Sequence, residues 1–213
     1  MTTDYEDLYA DAPAQTNHWW WRPGWGVGTR FLAFHITLDR QDELHALADS
    51  YDTALRPFAS LDLIPPKWRH ITLQGLGHVE TVPHDVCDQV LAKVAGRLEA
   101  VSPITSRFQH AAIFGEAITL PPDNPAEYAQ LRNAIRAGIT DTRGSVAEQE
   151  EGFRAHASVA YSNQEAFAQP IREALDAADP DQAVATFDTV DLIEMHRDER
   201  MYEWTTVATL PLG

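Results

Sequence analysis

Apolar positions along this chain repeat with two periods, and the switches between them mark out the elements. Arg30 to Asp39 is a continuous apolar run of strand length. From Gln41 to Phe58 the large apolar residues Leu44, Leu47, Tyr51, Leu55 and Phe58 fall three and four apart, which predicts an amphipathic helix. Asp62 to Gly75 reads as a strand whose start is set off by Pro65-Pro66, and Pro83 and Asp85 open a helix carrying Val90, Leu91, Val94 and Leu98 on one face. Arg107 to Ala112 and Ala117 to Leu120 read as a strand pair turning near Gly115. Asn124-Pro125-Ala126-Glu127 combines a capping residue, proline at the first helical position and glutamate at the third. That start predicts a helix with Tyr128, Leu131, Ile135 and Ile139 inward. Asp141 to Gly152 is polar and acidic, as a loop is, and Phe153 to Tyr161 is again a strand. A short helix from Pro170 to the Asp179-Pro180 turn precedes a closing hairpin, Val184 to His196 and Met201 to Leu210, turning at Asp198-Glu199.

Strand pairs thus alternate irregularly with helices and no glycine-rich phosphate loop occurs, which is an α+β pattern. Residues 1–17 are acidic and aperiodic and are expected to be flexible. Residues 18–213 are expected to form one bilobal unit. Four of the six tryptophans lie in His18-Trp19-Trp20-Trp21-Arg22-Pro23-Gly24-Trp25. This segment reads either as a cover over the core or as an aromatic wall on which a base stacks, and the sequence leaves both open.

Two strands carry the candidate chemistry. Arg69-His70-Ile71-Thr72-Leu73 and, 86 residues on from His70, Arg154-Ala155-His156-Ala157-Ser158-Val159 each set a histidine and a hydroxyl two positions apart. Residues i and i+2 of a strand share a face, so each strand presents one imidazole and one hydroxyl together. Nine histidines in this composition give roughly one His-x-Ser/Thr triplet by chance. The chain has three, the third being His35-Ile36-Thr37 in the first strand. Two imidazoles in opposite protonation states supply a general base and a general acid near neutral pH, and two hydroxyls supply donors for phosphate oxygens.

The paired motifs, with GFRAHASVAYSN around the second, resemble those of the 2H phosphoesterase superfamily, which contains 2′-5′ RNA ligase-like and cyclic phosphodiesterase proteins. The resemblance runs from about Arg30 to Leu212, with Ser158 in place of the commoner threonine. It implies two pseudo-symmetric antiparallel sheets, backed by helices, around a central cleft. It further implies metal-independent hydrolysis of 2′,3′-cyclic or related phosphates on nucleotides or oligonucleotide ends. The alternatives are a 2′-5′ RNA end ligase and a nucleotide-binding module without turnover. His70, Thr72, His156 and Ser158 are the expected catalytic set, with His156 implied as base and His70 as acid. His35, Gln74 and Arg154 are the expected substrate contacts, the last two because they share strand parity with Thr72 and His156.

Charge narrows the substrate. Sixteen basic against 32 acidic residues give a net −16, and Lys67 and Lys93 are the only lysines. Extended nucleic acid is held by clustered cations, so a small nucleotide or an RNA end is the expected partner. No membrane partner is expected, since no run approaches the roughly 18 apolar residues of a membrane helix. A single cysteine, Cys87, excludes an internal disulfide. The cytoplasm is the expected compartment, and no metal or other cofactor is expected.

Overall fold

The computed structural model describes residues 8–147 and 151–213. Its strands are β1 (Ala14–Gln15), β2 (Phe31–Thr37), β3 (Leu61–Leu63), β4 (His70–His78), β5 (Ile104–Phe108), β6 (Ala112–Ile113), β7 (Ala117–Leu120), β8 (Ala157–Ser162), β9 (Ala166–Phe167), β10 (Ala183–Phe187), β11 (Thr189–His196) and β12 (Glu203–Pro211). Its helices are α1 (Asp42–Leu55), α2 (His84–Leu98), α3 (Pro125–Arg143) and α4 (Gln169–Ala178). Eight strands form one antiparallel sheet in the order β12-β11-β2-β4-β8-β7-β6, with β3 also on β8.

That sheet is two half-sheets joined at a narrow waist. β3 pairs with β8 through Leu61↔Ser162 to Leu63↔Ala160. Pro65 and Pro66 then stop the ladder, because proline has no N–H to donate, and the chain makes a 3₁₀ turn over Pro66–Trp68. When it resumes as β4 it touches β8 only at Ile71↔Ala157 and passes to β2, which it follows for its whole length. Helices α2 and α3 pack together behind the β4 half, while α1 and α4 pack together behind the β8 half. One buried apolar cluster runs through both, from Phe34 and Leu44 to Val159 and Leu192. This is the α+β arrangement of two helix-backed antiparallel halves.

The helical periodicities hold at most positions, except that α1 ends at Leu55, leaving Phe58 beyond it, and that Phe58 and Leu91 are only partly buried. Leu44, Leu47, Tyr51 and Leu55 are buried on α1, and Val90, Val94 and Leu98 on α2. Tyr128, Leu131, Ile135 and Ile139 are buried on α3. Asn124 does not cap α3 with its side chain; it bonds instead to Ser106 Oγ at 2.5 Å and Thr105 O at 3.1 Å.

Three expectations change. β5 pairs with β10, not with β7, because the long apolar run from Val184 to His196 breaks at Asp188 into two strands in different sheets. The region expected as a loop from Asp141 stays helical to Arg143, where Gly144 caps it at φ 77°. The N-terminal segment is packed from Leu8 on, with residues 1–7 outside the described residues. Tyr9 is buried and donates its hydroxyl to Ala155 O at 2.8 Å. Asp11 accepts from Ile113 N at 2.8 Å and pairs with Arg172, and β1 pairs with β9, so long-range contacts anchor what composition alone reads as loose. No described helix is long and apolar enough to cross a membrane.

Candidate active site

The waist of the sheet is where both motifs lie, and a cavity of about 620 Å³ opens over it. β4 is fixed there by Arg69, whose buried guanidinium bonds Asp49 and Asp52 of α1 at 2.8 and 2.7 Å and the Ile64 carbonyl at 3.2 Å. The two histidines are then held in the same local way. His70 Nδ1 lies 2.9 Å from the carbonyl of Trp68, and His156 Nδ1 lies 2.7 Å from the carbonyl of Arg154, two residues back in each case. A carbonyl only accepts, so each Nδ1 carries the proton, and Nε2 is the nitrogen left to exchange one. Both rings line the cavity, as do Thr72 and Ser158.

Continuing the antiparallel register one step either side of Ile71↔Ala157 brings His70 beside Ser158 and Thr72 beside His156. The motifs are therefore neighbouring strands meeting at one pair. Thr72 is exposed. Ser158 is 7% exposed, and its hydroxyl contacts that of Tyr161.

Of the expected substrate contacts, His35 and Arg154 line the cavity and Gln74 does not. The first of two bulges in β4 accounts for Gln74. His35 pairs with Thr72 and Phe34 with Gln74, leaving Leu73 unpaired; Ala33 pairs with Gly75 and Leu32 with Gly77, leaving Leu76 unpaired. Each extra residue reverses the alternation of faces. Gln74 consequently turns into the core, fully buried, and accepts a hydrogen bond from Arg136 Nη1 at 2.8 Å. Helix α3 satisfies the carbonyls left out of the ladder, with Arg132 Nε donating to Leu73 O at 3.0 Å and Arg143 Nη1 to Leu76 O at 2.6 Å. Gly77, at φ 144°, has no room for a Cβ without meeting Val82 at 3.1 Å. The second reversal returns His78 to the cavity side opposite Phe31.

Several wall residues escaped the sequence analysis. The tryptophan-rich segment is divided: Trp19 is buried with Ile64, Ala117 and Tyr161, whereas His18, Arg22 and Trp25 line the cavity. Arg197, 2% exposed, fastens it by donating to the Trp20 carbonyl at 2.7 Å, with Trp19, Trp21, Trp25 and Tyr202 rings about its guanidinium. Glu116, in the β6–β7 turn, accepts from Arg22 and from Trp20 at 2.9 Å each. The aromatic residues and Arg197 of the closing hairpin were visible in the chain, but nothing in local pattern says that they meet.

Burial dominates the electrostatics. It lowers both His70 and His156 from the ordinary 6.5 to about 4, although each carbonyl bond opposes it. Burial, then the Arg22 and Arg197 charges, takes His18 to about 3. Burial and then the neighbouring His70 hold His35 well below 6.5. The cleft thus holds neutral imidazoles at pH 7, with Arg22 and Arg154 facing it against one carboxylate, Glu116. A strongly acidic chain presents here an anion-attracting hollow. Among the described residues no group of three histidine, cysteine or carboxylate side chains is set to hold a metal ion.

The fold recurs in solved structures. The chain is similar to TT0787 of Thermus thermophilus, with a TM-score of 0.66 and 16% identity over 85% of this chain and 97% of that one. It is also similar to E. coli LigT solved with 3′-AMP, with a TM-score of 0.60 and 15% identity over 86% and 98% of the two chains. No curated protein matches the sequence significantly. The family model of the 2′-5′ RNA ligase superfamily matches residues 46–199, which include both motifs. This chain belongs to the 2′-5′ RNA ligase superfamily.

Proposed function

We propose that this protein is a metal-independent phosphodiesterase that opens 2′,3′-cyclic, or closely related cyclic, phosphates on small nucleotides or RNA ends, acting in the cytoplasm. The observation that carries the reading is the repeated clamp: two histidines, each with Nδ1 on the carbonyl two residues back, present Nε2 to one cavity beside two hydroxyls. One neutral Nε2 takes a proton from the attacking water. The other, as Nε2–H, protonates the departing ribose oxygen, and the P–O bond to that oxygen breaks as the new one forms. Following the family resemblance, His156 is the base and His70 the acid. Thr72 and Ser158 donate to the nonbridging oxygens, where preorganised donors act most strongly on developing charge.

A neutral pair lacks the proton that the acid needs. An incoming phosphate supplies the reason to acquire it, because an adjacent anion favours imidazolium. A cavity of about 620 Å³ lies within the usual range for small-molecule sites. LigT has been solved with 3′-AMP, ATP and NADP+, ligands of the size this reading requires.

The test is turnover of a panel of cyclic nucleotides and cyclic-phosphate-ended oligonucleotides in EDTA. Product should form from 2′,3′-cyclic phosphates, with a bell-shaped kcat/KM profile belonging to the pair. Its limbs should lie below 6.5, since both histidines are held low in the free enzyme. Turnover that vanishes in EDTA and returns with a divalent ion refutes the reading, as does binding without turnover.

A further inference from the structure

One histidine of the cavity has no task in this scheme. His35, on β2, stands between Thr72 of β4 and Asp191 of β11 in the ladder and is 1% exposed. Neither of its ring nitrogens has a hydrogen-bond partner. The titratable and charged groups around it are accounted for elsewhere. Asp191 accepts from Thr37 at 2.6 Å and Thr209 at 2.5 Å, His70 is bonded to Trp68, and Tyr202, just before β12, bonds His18, Arg22 and Arg197.

What His35 does make is a parallel stack. Its ring lies 4.4 Å from that of His70, with the planes 8° apart, and Trp204 meets both edge-on at 6.3 and 5.1 Å. The Trp68 carbonyl fixes how the His70 ring turns within its own plane; the stack fixes the plane itself. Among the described residues His156 has no such floor, since Phe114 meets it at 71°.

We infer that His35 is a positioning residue for His70, a flat neutral face that fixes the plane of the His70 imidazole and supports its protonated form from below. A cation over a π-face is stabilised, so the stack favours holding the proton on His70, the role of an acid. The inference rests on the proposed function only for its effect on turnover. What the flat face supplies is geometry and π-density, so an aromatic ring without nitrogens should replace it and an aliphatic chain of similar size should not.

The experiment compares His35→Leu and His35→Phe in the full chain, each checked for folding by its thermal midpoint, with His35→Met standing in if His35→Leu does not fold. In His35→Leu, kcat for a 2′,3′-cyclic nucleotide should fall about tenfold or more, within the range for a misplaced catalytic group, while KM stays nearly unchanged. His35→Phe should restore most of kcat. Titration of the His70 ring by NMR, with no substrate present, should show a lower apparent pKa in His35→Leu than in His35→Phe. A folded His35→Leu or His35→Met with wild-type kcat and His70 titration overturns the inference, and so does His35→Phe behaving like His35→Leu. If the wild type turns over no cyclic phosphate yet the His70 titration follows the Leu/Phe pattern, the reaction is wrong and the stack stands.

Discussion

The two motif strands carry nearly the same letters and sit in different surroundings. Each holds its histidine by the same Nδ1 bond to the carbonyl two residues back. On the β4 side, however, the ring is 7% exposed, stacked on His35 and walled by Trp204. On the β8 side the ring precedes the strand and is half-buried. It neighbours Phe114, over whose ring the Arg154 guanidinium lies at 3.9 Å. A short motif therefore fixes tautomer and direction on both sides, whereas tertiary packing decides how rigid and how solvated each imidazole is. One local design thus meets two different surroundings, while burial lowers both imidazoles alike, to about 4.

The largest effects should come from the histidines. His70→Ala and His156→Ala should each lower kcat/KM by about 10²–10⁴-fold, the usual contribution of a positioned acid or base. The double variant should be little worse than either single one, because groups acting as a unit are strongly non-additive. Steady-state kinetics on one cyclic nucleotide measures all three. A single variant with near-normal turnover would break the symmetry of the comparison and leave one histidine without a role.

The hydroxyls sharpen it. Thr72→Ala and Ser158→Ala should each cost roughly 10–10³-fold in kcat, around the range for loss of one oxyanion donor. They should differ in stability. Thr72 is exposed, so its loss should leave the thermal midpoint unchanged. Ser158 is buried, and removing its hydroxyl empties a packed position, which lowers the midpoint. Kinetics paired with thermal melts separates the two, and equal melts would contradict the packed position.

How much of this the chain shows on its own varies by element. The helical faces of α1, α2 and α3 are legible because their spacing of three and four is local and packing does not override it. The motif histidines are legible because residues i and i+2 share a face on any regular strand. Gln74 is not, since the Leu73 bulge reverses its face and the carbonyl it frees is met by Arg132, 59 residues away. The walls formed by His18, Arg22, Glu116 and Tyr202 are likewise made by long-range contacts with no periodic signature. Regularity is readable from sequence; interruptions held by distant side chains are not.

Arg154 tests the solvated side of the comparison. It is exposed, and its guanidinium has one long contact, 3.4 Å to Leu8 O, besides Phe114. Arg154→Gln should raise KM about three- to tenfold with little change in kcat, as expected for a solvent-screened cation that attracts a phosphate. The effect should shrink as salt is raised. A KM independent of both substitution and ionic strength would remove Arg154 from substrate binding.

The smallest effect concerns acid stability, on the buried side and on the half-buried one. The unfolded chain takes up protons on its histidines near 6.5, whereas the fold holds His70 and His156 neutral until about 4 and His35 to well below 6.5. Between those limits the unfolded state binds more protons, so stability falls as pH drops from about 6.5 toward 4 and is unaffected above 7. His35→Phe deletes one of these proton sites from the buried stack. Its thermal midpoint should therefore decline less steeply between pH 6.5 and 4.5 than that of the wild type. At pH 8 the pH-dependent part of the difference should vanish. His156→Phe should flatten the slope as well, because the fold holds that ring neutral to about 4 too. Parallel slopes for wild type and His35→Phe would mean that the stacked ring takes up its proton without cost, and the contrast between the two sides would then lie in packing alone.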